Sequence, residues 1–453
     1  MTRASYFFYD LETSGLSARE DRIMQFAGQR TDFDFHPIGK PVNLLVKLSD
    51  DTLPSPGAIL TTHITPQDTQ RDGITEAELC RYLQNEIFIP GTVSLGYNSV
   101  RFDDEFMRHL FWRNFYDPYE WQWRENRSRW DMLDVVRMTR ALRPEGINWP
   151  VREDGKPTNR LELITKENGI SHESAHDALN DVTALIDVAK LIRDKQPKLF
   201  NYLFEMRKKA NIKKLVNLEN KTPFVYSSGH YDVGTLHTTV AFPLAPSKNG
   251  NILVYDLRYN LEELDGDAIA APKNSYFPIV KELAYNKCPA VAPLGVLDSA
   301  DGWQKIGLTK EIVDKNLEIL LKHPEFAEQM RTQDEDRPEY EPPVDMEAAL
   351  YNSFVPEIDK VRCNAVRNAD ANTLADFHPN FADERLPELL LHYKAKNFPT
   401  ALAEEEMAKW EEYRQARLGR QAPKFLKELE KFTKEGADQF ILDELKLWYE
   451  SLA

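Results

Sequence analysis

Cysteine is scarce in this chain: 453 residues contain three, Cys80, Cys288 and Cys363. Odd in number and far apart, they form neither a disulfide framework nor metal-knuckle spacing, so a reducing cytoplasm is the expected compartment. Long apolar runs are lacking too. None approaches the ~20 residues that a membrane-spanning helix needs, and the first residues, MTRASYFFYDLETSG, lack the apolar core and small-residue cleavage site of a signal peptide. Positive charge is in deficit. A formal net charge of -16 argues against a protein that coats nucleic acid nonspecifically, because that affinity comes from neutralising phosphates. It leaves room for an enzyme that grips a strand locally, since carboxylates loaded with divalent ions present positive charge. There is no internal repeat.

The hydrophobic content of 42% and charged content of 29% describe a globular protein, and the length exceeds one ordinary core. Residues 1–195 alternate strand-like and helix-like stretches. SYFFYDL at 5–11, the β-rich segments between 23 and 48, and GTVSLGY at 91–97 read as strands, while 75–88, 102–113 and 174–193 read as helices. This predicts an α/β domain with a mixed sheet. Residues 196–333 change character. Short β-rich runs broken by Gly, Pro and Asn suggest a small, partly open barrel, with helices near 276–285 and from Thr309. RTQDEDRPEYEPPVD at 331–345 carries six acids and three prolines and predicts an extended linker. Residues 346–453 read as packed helices.

The chemistry-bearing residues are acids. Asp10 and Glu12 sit two apart on a predicted strand and therefore share a face. Two carboxylates held so close repel unless a cation joins them, although a lone D-x-E is also what a strand ending at solvent looks like. Asp181 falls inside the apolar stripe of the 174–193 helix, between Ala178 and Leu185, where an ionised carboxylate needs a partner or a metal. Asp103 follows a strand at a helix start, a position that also suits a simple cap. Asp104 competes with it, and periodicity does not choose between them. His176, five residues before Asp181, can take a proton at neutral pH. Four carboxylates with one histidine is a poor zinc set; it suits Mg²⁺ or Mn²⁺, which prefer oxygen. Two such ions would activate a water and stabilise a leaving oxygen.

These residues resemble a known pattern. DLET at 10–13, NSVRFD at 98–103 and His176 with Asp181 are similar to the three motifs of the DEDDh exonucleases. GYNSVRFDDE, RNFYDPYEW, SRWDMLDV, ALRPEGINWP, NGISHESAHDA, NKCPAVAPL and YKAKNFP resemble bacterial exodeoxyribonuclease I over essentially the whole chain. The resemblance implies an RNase H-like nuclease domain, an SH3-like β-barrel domain and a helical domain around a groove. It implies processive 3′→5′ hydrolysis of single-stranded DNA to 5′-mononucleotides, in DNA repair and recombination. By motif position Asp10, Glu12, Asp103 and Asp181 would hold two Mg²⁺ ions, with Mn²⁺ able to substitute, and His176 would be the general base. Substrate contacts are expected from Thr13, Asn98, Phe102, Arg108, Trp112, Arg113 and Tyr202. Eight aromatics and five arginines interleave between residues 108 and 130, a composition suited to stacking bases among phosphates and equally to a packed aromatic core. The basic run RKKANIKK at 207–214 is surface or groove. Arg143, in ALRPEGINWP, is expected to hold the C-terminal carboxylate of the single-stranded-DNA-binding protein's acidic tail. A monomer without membrane attachment completes the expectation. The alternatives are a DEDDh exoribonuclease acting on short RNA or tRNA ends, and a noncatalytic DNA-binding or scaffolding protein.

Overall fold

A computed structural model describes residues 4–171, 177–264, 279–338 and 341–452. Its first sheet has the order β3-β2-β1-β4-β5, with β1 (Ser5–Thr13) at the centre. β1 runs antiparallel to β2 (Ile23–Thr31) and parallel to β4 (Thr92–Gly96); β3 (Val42–Leu45) and β5 (Ser128–Asp131) lie at the edges. Both faces of β1 are covered, so its residues divide by parity. Phe7, Tyr9 and Leu11 pack in one cluster with Phe106, Leu110 and Trp121. Tyr6 and Phe8 pack in the other, with Val182, Leu185 and Ile192. Asp10 and Glu12 have the even parity and face the second side.

Three helices frame the sheet's end: α1 (Asp103–Arg113), α2 (Met132–Leu142) and α3 (Ala178–Lys195). The predicted 174–193 helix begins later, at Ala178: Asp177 is its extended N-cap, and residues 174–176 lie outside the described ones. Its apolar stripe, Ala178, Val182, Leu185, Val188, Ala189 and Ile192, is buried as the spacing predicts. Next, α4 (Pro197–Met206) and the short α5 (Lys209–Leu215) lead to a second sheet, ordered β10-β6-β7-β8-β9. Its strands are β6 (Phe224–Ser227), β7 (Thr238–Pro246), β8 (Ile252–Asp256), β9 (Val280–Leu283) and β10 (Ala290–Pro293).

Two expectations need correction here. The segment expected to be helical near 276–285 forms strand β9 over Val280–Leu283, and residues 276–278 lie outside the described ones. The sequence VKEL looks helical because it is polar, yet its burial alternates with period two. Lys281 turns inward, 3.5 Å over the Tyr231 ring, and Leu283 is fully buried. The second correction concerns the acidic stretch from residue 331. Arg331–Glu335 complete helix α7 (Pro324–Glu335), which follows α6 (Lys310–Lys322), and buried Asp334 accepts from the Lys248 backbone N–H at 2.8 Å.

The last domain contains α8 (Glu357–Asn368), α9 (Leu386–Asn397), α10 (Glu404–Lys434) and α11 (Gln439–Leu452). It docks on the first in two ways. Leu418, Phe425, Leu442 and Leu445 pack against Met24, Leu48, Leu53 and Ile59. Beside this lies a buried ionic knot. Arg22 pairs with Glu347, Lys396 bridges Glu347 at 2.5 Å and Asp51 at 2.9 Å, and Arg417 reaches Asp345 at 2.5 Å and Asp51 at 3.3 Å. Buried ions persist only when paired in this fashion. No helix among the described residues is long and apolar enough to cross a membrane.

Candidate active site

Strand parity and helix packing together converge the acids. α3 crosses the even face of β1, and Asp181 sits in its first turn, one turn beyond the N-cap Asp177, whose carboxylate accepts from Leu179 N–H at 3.0 Å. One carboxylate oxygen each from Asp10, Glu12 and Asp181 all lie within 4.8 Å of one another, and all three residues are half-buried. Burial first, and the neighbouring Asp181 second, hold Asp10 well above the ordinary carboxylate range. Glu12 is pushed up to about 9 by burial, then by Asp10, Asp181 and Asp177. Asp103 is raised by burial, then by Asp10 and Asp104. The cluster therefore resists ionisation in the bare protein and invites a compensating cation. An all-oxygen donor set of this charge and spacing fits a hard divalent ion.

Asp103 lies outside the tight trio but close enough to feel the charge of Asp10. Its neighbour Asp104 is engaged elsewhere. Asp104 accepts the Tyr9 hydroxyl at 2.5 Å and pairs with buried Arg129. Its oxygens face the odd side of β1, opposite the trio. Periodicity could not decide this because two adjacent residues on a first helical turn differ by only ~100°.

Asp131, which carried no signal of its own in the sequence, organises the strand ends. Its carboxylate accepts from the backbone N–H of Asn98 (2.9 Å), Val100 (3.2 Å) and Leu133 (2.9 Å). It thus ties the end of β5 to the turn before α1 that delivers Asp103. Asn98 is held there in a left-handed backbone, φ 66°, which asparagine tolerates better than most residues.

Asp10 and Asp181 of the trio open into a cavity of about 600 Å³ lined also by Asn98, Arg137, Arg152, Arg160 and Glu162, with Val233 and His237 from the second domain. A groove of about 1200 Å³ lies on the other side of the 228–237 loop. Arg101, Arg108, Arg127, Arg129, Arg207, Lys208, Lys209 and Lys287 line it against three acids, Glu105, Asp134 and Glu282. The basic run at 207–214 is therefore groove in part. A chain with net charge -16 concentrates cations where an anionic strand would lie.

The expected substrate residues separate on this map. Asn98 lines the catalytic cavity and Arg108 the groove, where it is anchored by Glu105 at 2.5 Å and Gln122 at 3.1 Å. Thr13 is buried, its hydroxyl donating to the Gly15 carbonyl at 2.7 Å. Phe102 packs on Phe106, 5.0 Å between centroids. Trp112 and Arg113 line neither the cavity nor the groove. Trp112 is 2% exposed, donates to the Met346 carbonyl and lies under Arg385. Arg113 is a two-pronged partner of Glu76 at 2.6 and 3.1 Å. Both belong to the seam with the helical domain. Tyr202 is likewise half-buried in packing between two clusters. Of the aromatic stretch, Phe111, Phe115, Trp121 and Trp130 are core, while Trp123 is 62% exposed on the groove wall. His176 lies outside the described residues. The sequence reading missed Asp131, Arg137 and His237. An arginine on a helix and a histidine in a barrel loop carry no local signal of a nuclease site.

Three family models cover the chain: Exonuclease at residues 7–189, Exonuclease I SH3-like domain at 207–333 and Exonuclease I C-terminal domain at 344–452. The chain is 39% identical to exodeoxyribonuclease I of Escherichia coli K12 over 426 residues, 91% of this chain and 89% of that one. It belongs to the exodeoxyribonuclease I family. The Haemophilus influenzae exodeoxyribonuclease I is 38% identical over 96% of this chain and 95% of its own. Among solved structures, E. coli exonuclease I in complex with a dA16 oligonucleotide superposes with a TM-score of 0.93 at 37% identity, covering 100% of both chains. The exonuclease I of Methylocaldum szegediense, described as moderately thermophilic, gives 0.91 at 37%, covering 99% of this chain and 100% of that one. E. coli complexes with single-stranded DNA are known in a metal-free and a zinc-bound form. The first domain is accordingly the RNase H-like exonuclease domain and the second the SH3-like domain of an exodeoxyribonuclease I, and a divalent-ion-dependent nuclease chemistry fits its acids.

Proposed function

We propose that this chain is a processive 3′→5′ exonuclease that hydrolyses single-stranded DNA to 5′-mononucleotides in DNA repair and recombination. The observation that carries the reading is the convergence of Asp10, Glu12 and Asp181 within 4.8 Å beside a groove walled by arginine and lysine. Asp10, Glu12, Asp103 and Asp181 would hold two Mg²⁺ ions, for which Mn²⁺ would substitute; the chemistry supplied would be polarisation of the scissile phosphate and a lowered pKa for an attacking water. His176 accepts that water's proton, a role worth ~10²–10⁴ in rate. Arg137, Arg152 and Arg160 on the cavity wall offset phosphate charge. Trp123 and Tyr119 offer ring faces to bases along the groove. Because both cavity and groove are bounded by the SH3-like domain, a strand held between the domains stays bound between cleavages.

The partner assignment is part of the same proposal. Arg143 donates to the Val296 carbonyl at 3.2 Å and the Ser299 hydroxyl at 2.9 Å, which fixes its guanidinium at the seam with the SH3-like domain. One Nη1 hydrogen also goes to the Leu142 carbonyl at 2.6 Å, so the remaining N–H groups and the positive charge, rather than a free fork, would meet a terminal carboxylate, here that of the single-stranded-DNA-binding protein's tail. The enzyme works as a cytoplasmic monomer; its cysteines are all buried and unpaired, in keeping with a reducing compartment.

The test is digestion of 3′- and 5′-labelled single strands of DNA and RNA, with Mg²⁺ or EDTA. Mononucleotide release from DNA 3′ ends, abolished by EDTA, is expected. Preferential digestion of RNA would replace the reading with an exoribonuclease, and binding without cleavage would make the chain a scaffold.

A further inference from the structure

The cavity holding Asp10 and Asp181 is closed on one side by a loop of the SH3-like domain, residues 228–237, and that loop is built under strain. Leu236 (φ 53°) and His237 (φ 57°) are consecutive non-glycine residues in the left-handed region. Such residues are disfavoured and persist only where surroundings enforce them. They are enforced here. The Asp232 carbonyl accepts from His237 N–H at 2.9 Å, the Asp232 carboxylate accepts from Gly234 N–H at 2.7 Å, and the His237 carbonyl accepts from Ser228 N–H at 2.9 Å.

The loop is also pinned to the nuclease domain. Arg101 donates to the Ser228 hydroxyl at 3.3 Å. Arg137, itself paired with Asp134 at 2.6 Å, lies so close over Gly229 that a Cβ there would meet Nη2 at 2.8 Å. The outcome is that an imidazole from another domain joins the wall of the catalytic cavity.

Its tautomer follows from one contact. His237 Nδ1 is 2.8 Å from the Tyr231 carbonyl, which only accepts, so Nδ1 carries the proton. The neutral ring is favoured by burial, and the nearby charges, Arg137 against Asp134 and Asp232, leave its affinity for a second proton below the usual histidine value. Nε2 is then a lone-pair acceptor, fixed in position by a rigid loop.

We propose that His237 is a substrate-positioning residue contributed by the SH3-like domain: its Nε2 accepts a hydrogen bond from an O–H or N–H donor of the strand's 3′-terminal nucleotide. This rests on the exonuclease reading of the cavity and assigns it a second-domain wall. Two domains then share one terminal nucleotide, and the strain is the cost of fixing that geometry.

The experiment compares wild type and His237→Asn, which keeps a residue tolerant of positive φ but is too short to place an acceptor where Nε2 sits. On an unstructured oligonucleotide with Mg²⁺, KM should rise about tenfold, the effect of one lost hydrogen bond, with kcat within about twofold. Melting temperature and Mg²⁺ affinity should be unchanged; a merely structural role would instead lower the melting temperature and kcat together. If H237N is unstable, His237→Gly, which takes this φ without strain, carries the same comparison. Strands ending in a dideoxynucleotide or an abasic site locate the donor. Collapse of the KM ratio on the first assigns it to the sugar, on the second to the base. A ratio that persists on both, or a KM equal to wild type, overturns the proposal. A wild type that releases no mononucleotides overturns the exonuclease reading instead.

Discussion

Asp103 and Asp104 are adjacent acids whose removal should have opposite consequences. Asp104→Asn leaves Arg129, a guanidinium only 7% exposed, without its anionic partner and weakens the acceptor for the Tyr9 hydroxyl. Stripping one member from a buried ion pair costs ~3–5 kcal/mol. Arg129 also donates to the Asn286 carbonyl at 2.6 Å, so part of its hydrogen bonding survives and the lower end, about 3 kcal/mol, is expected. For a domain of this size each kcal/mol moves the melting temperature by ~2–4 °C, giving a fall of roughly 6–12 °C. Asp103→Asn puts a neutral side chain where burial and Asp10 already disfavour the ionised carboxylate, so without divalent ions it should melt at or above the wild-type temperature. It should nonetheless lose most Mg²⁺ affinity and turnover. Differential scanning fluorimetry in EDTA, calorimetry with Mg²⁺ and a gel-based digestion measure all three. A destabilised D103N beside a fully stable, metal-blind D104N would show that the ligand is Asp104 and that the side-of-strand argument is wrong.

Burial and like charge hold Glu12 at about 9, above its unfolded value, so the native state binds more protons than the unfolded one between roughly pH 5 and 9. In EDTA this site's contribution to stability should therefore fall as pH rises through that window, and saturating Mg²⁺ should flatten the slope; a slope unaffected by Mg²⁺ or by Glu12→Gln refutes it. Trp112→Ala should cost ~3–5 kcal/mol in urea melts while affinity for a short oligonucleotide, by anisotropy in Ca²⁺, stays near wild type; weakened DNA binding in a folded variant would restore Trp112 to the groove. Glu347→Ala leaves Arg22 and Lys396 short of a buried anion and should cost ~3–5 kcal/mol, seen as early proteolysis of the helical domain; unchanged protection would mean the knot does not secure the docking. Arg143→Ala should weaken binding of a labelled tail peptide by roughly 2–5 kcal/mol while digestion of naked DNA is nearly preserved, and equal affinities place the partner site elsewhere.

Sequence alone determined the features that local periodicity encodes. Strand parity put Asp10 and Glu12 on one face, the 3.6-residue repeat put Asp181 on the packed face of its helix, and Pro, Gly and charge marked the change from α/β to barrel to helices. The acids were legible because carboxylates on apolar elements are anomalous. What only the tertiary structure decided were choices between chemically identical neighbours and between uses of one residue type. Asp103 and Asp104 differ by which side of β1 they meet, information held by Tyr9 and Arg129 far away in sequence. Trp112 and Trp123 are both tryptophans beside arginines, and the docking of the helical domain buries one and leaves the other on the groove. VKEL became a strand because β8 offered its free edge, a pairing that outweighs local propensity. His237 entered the nuclease cavity through a barrel loop lying some 60 residues from the nearest of the described acids. Long-range packing sets such positions, and no local pattern records it.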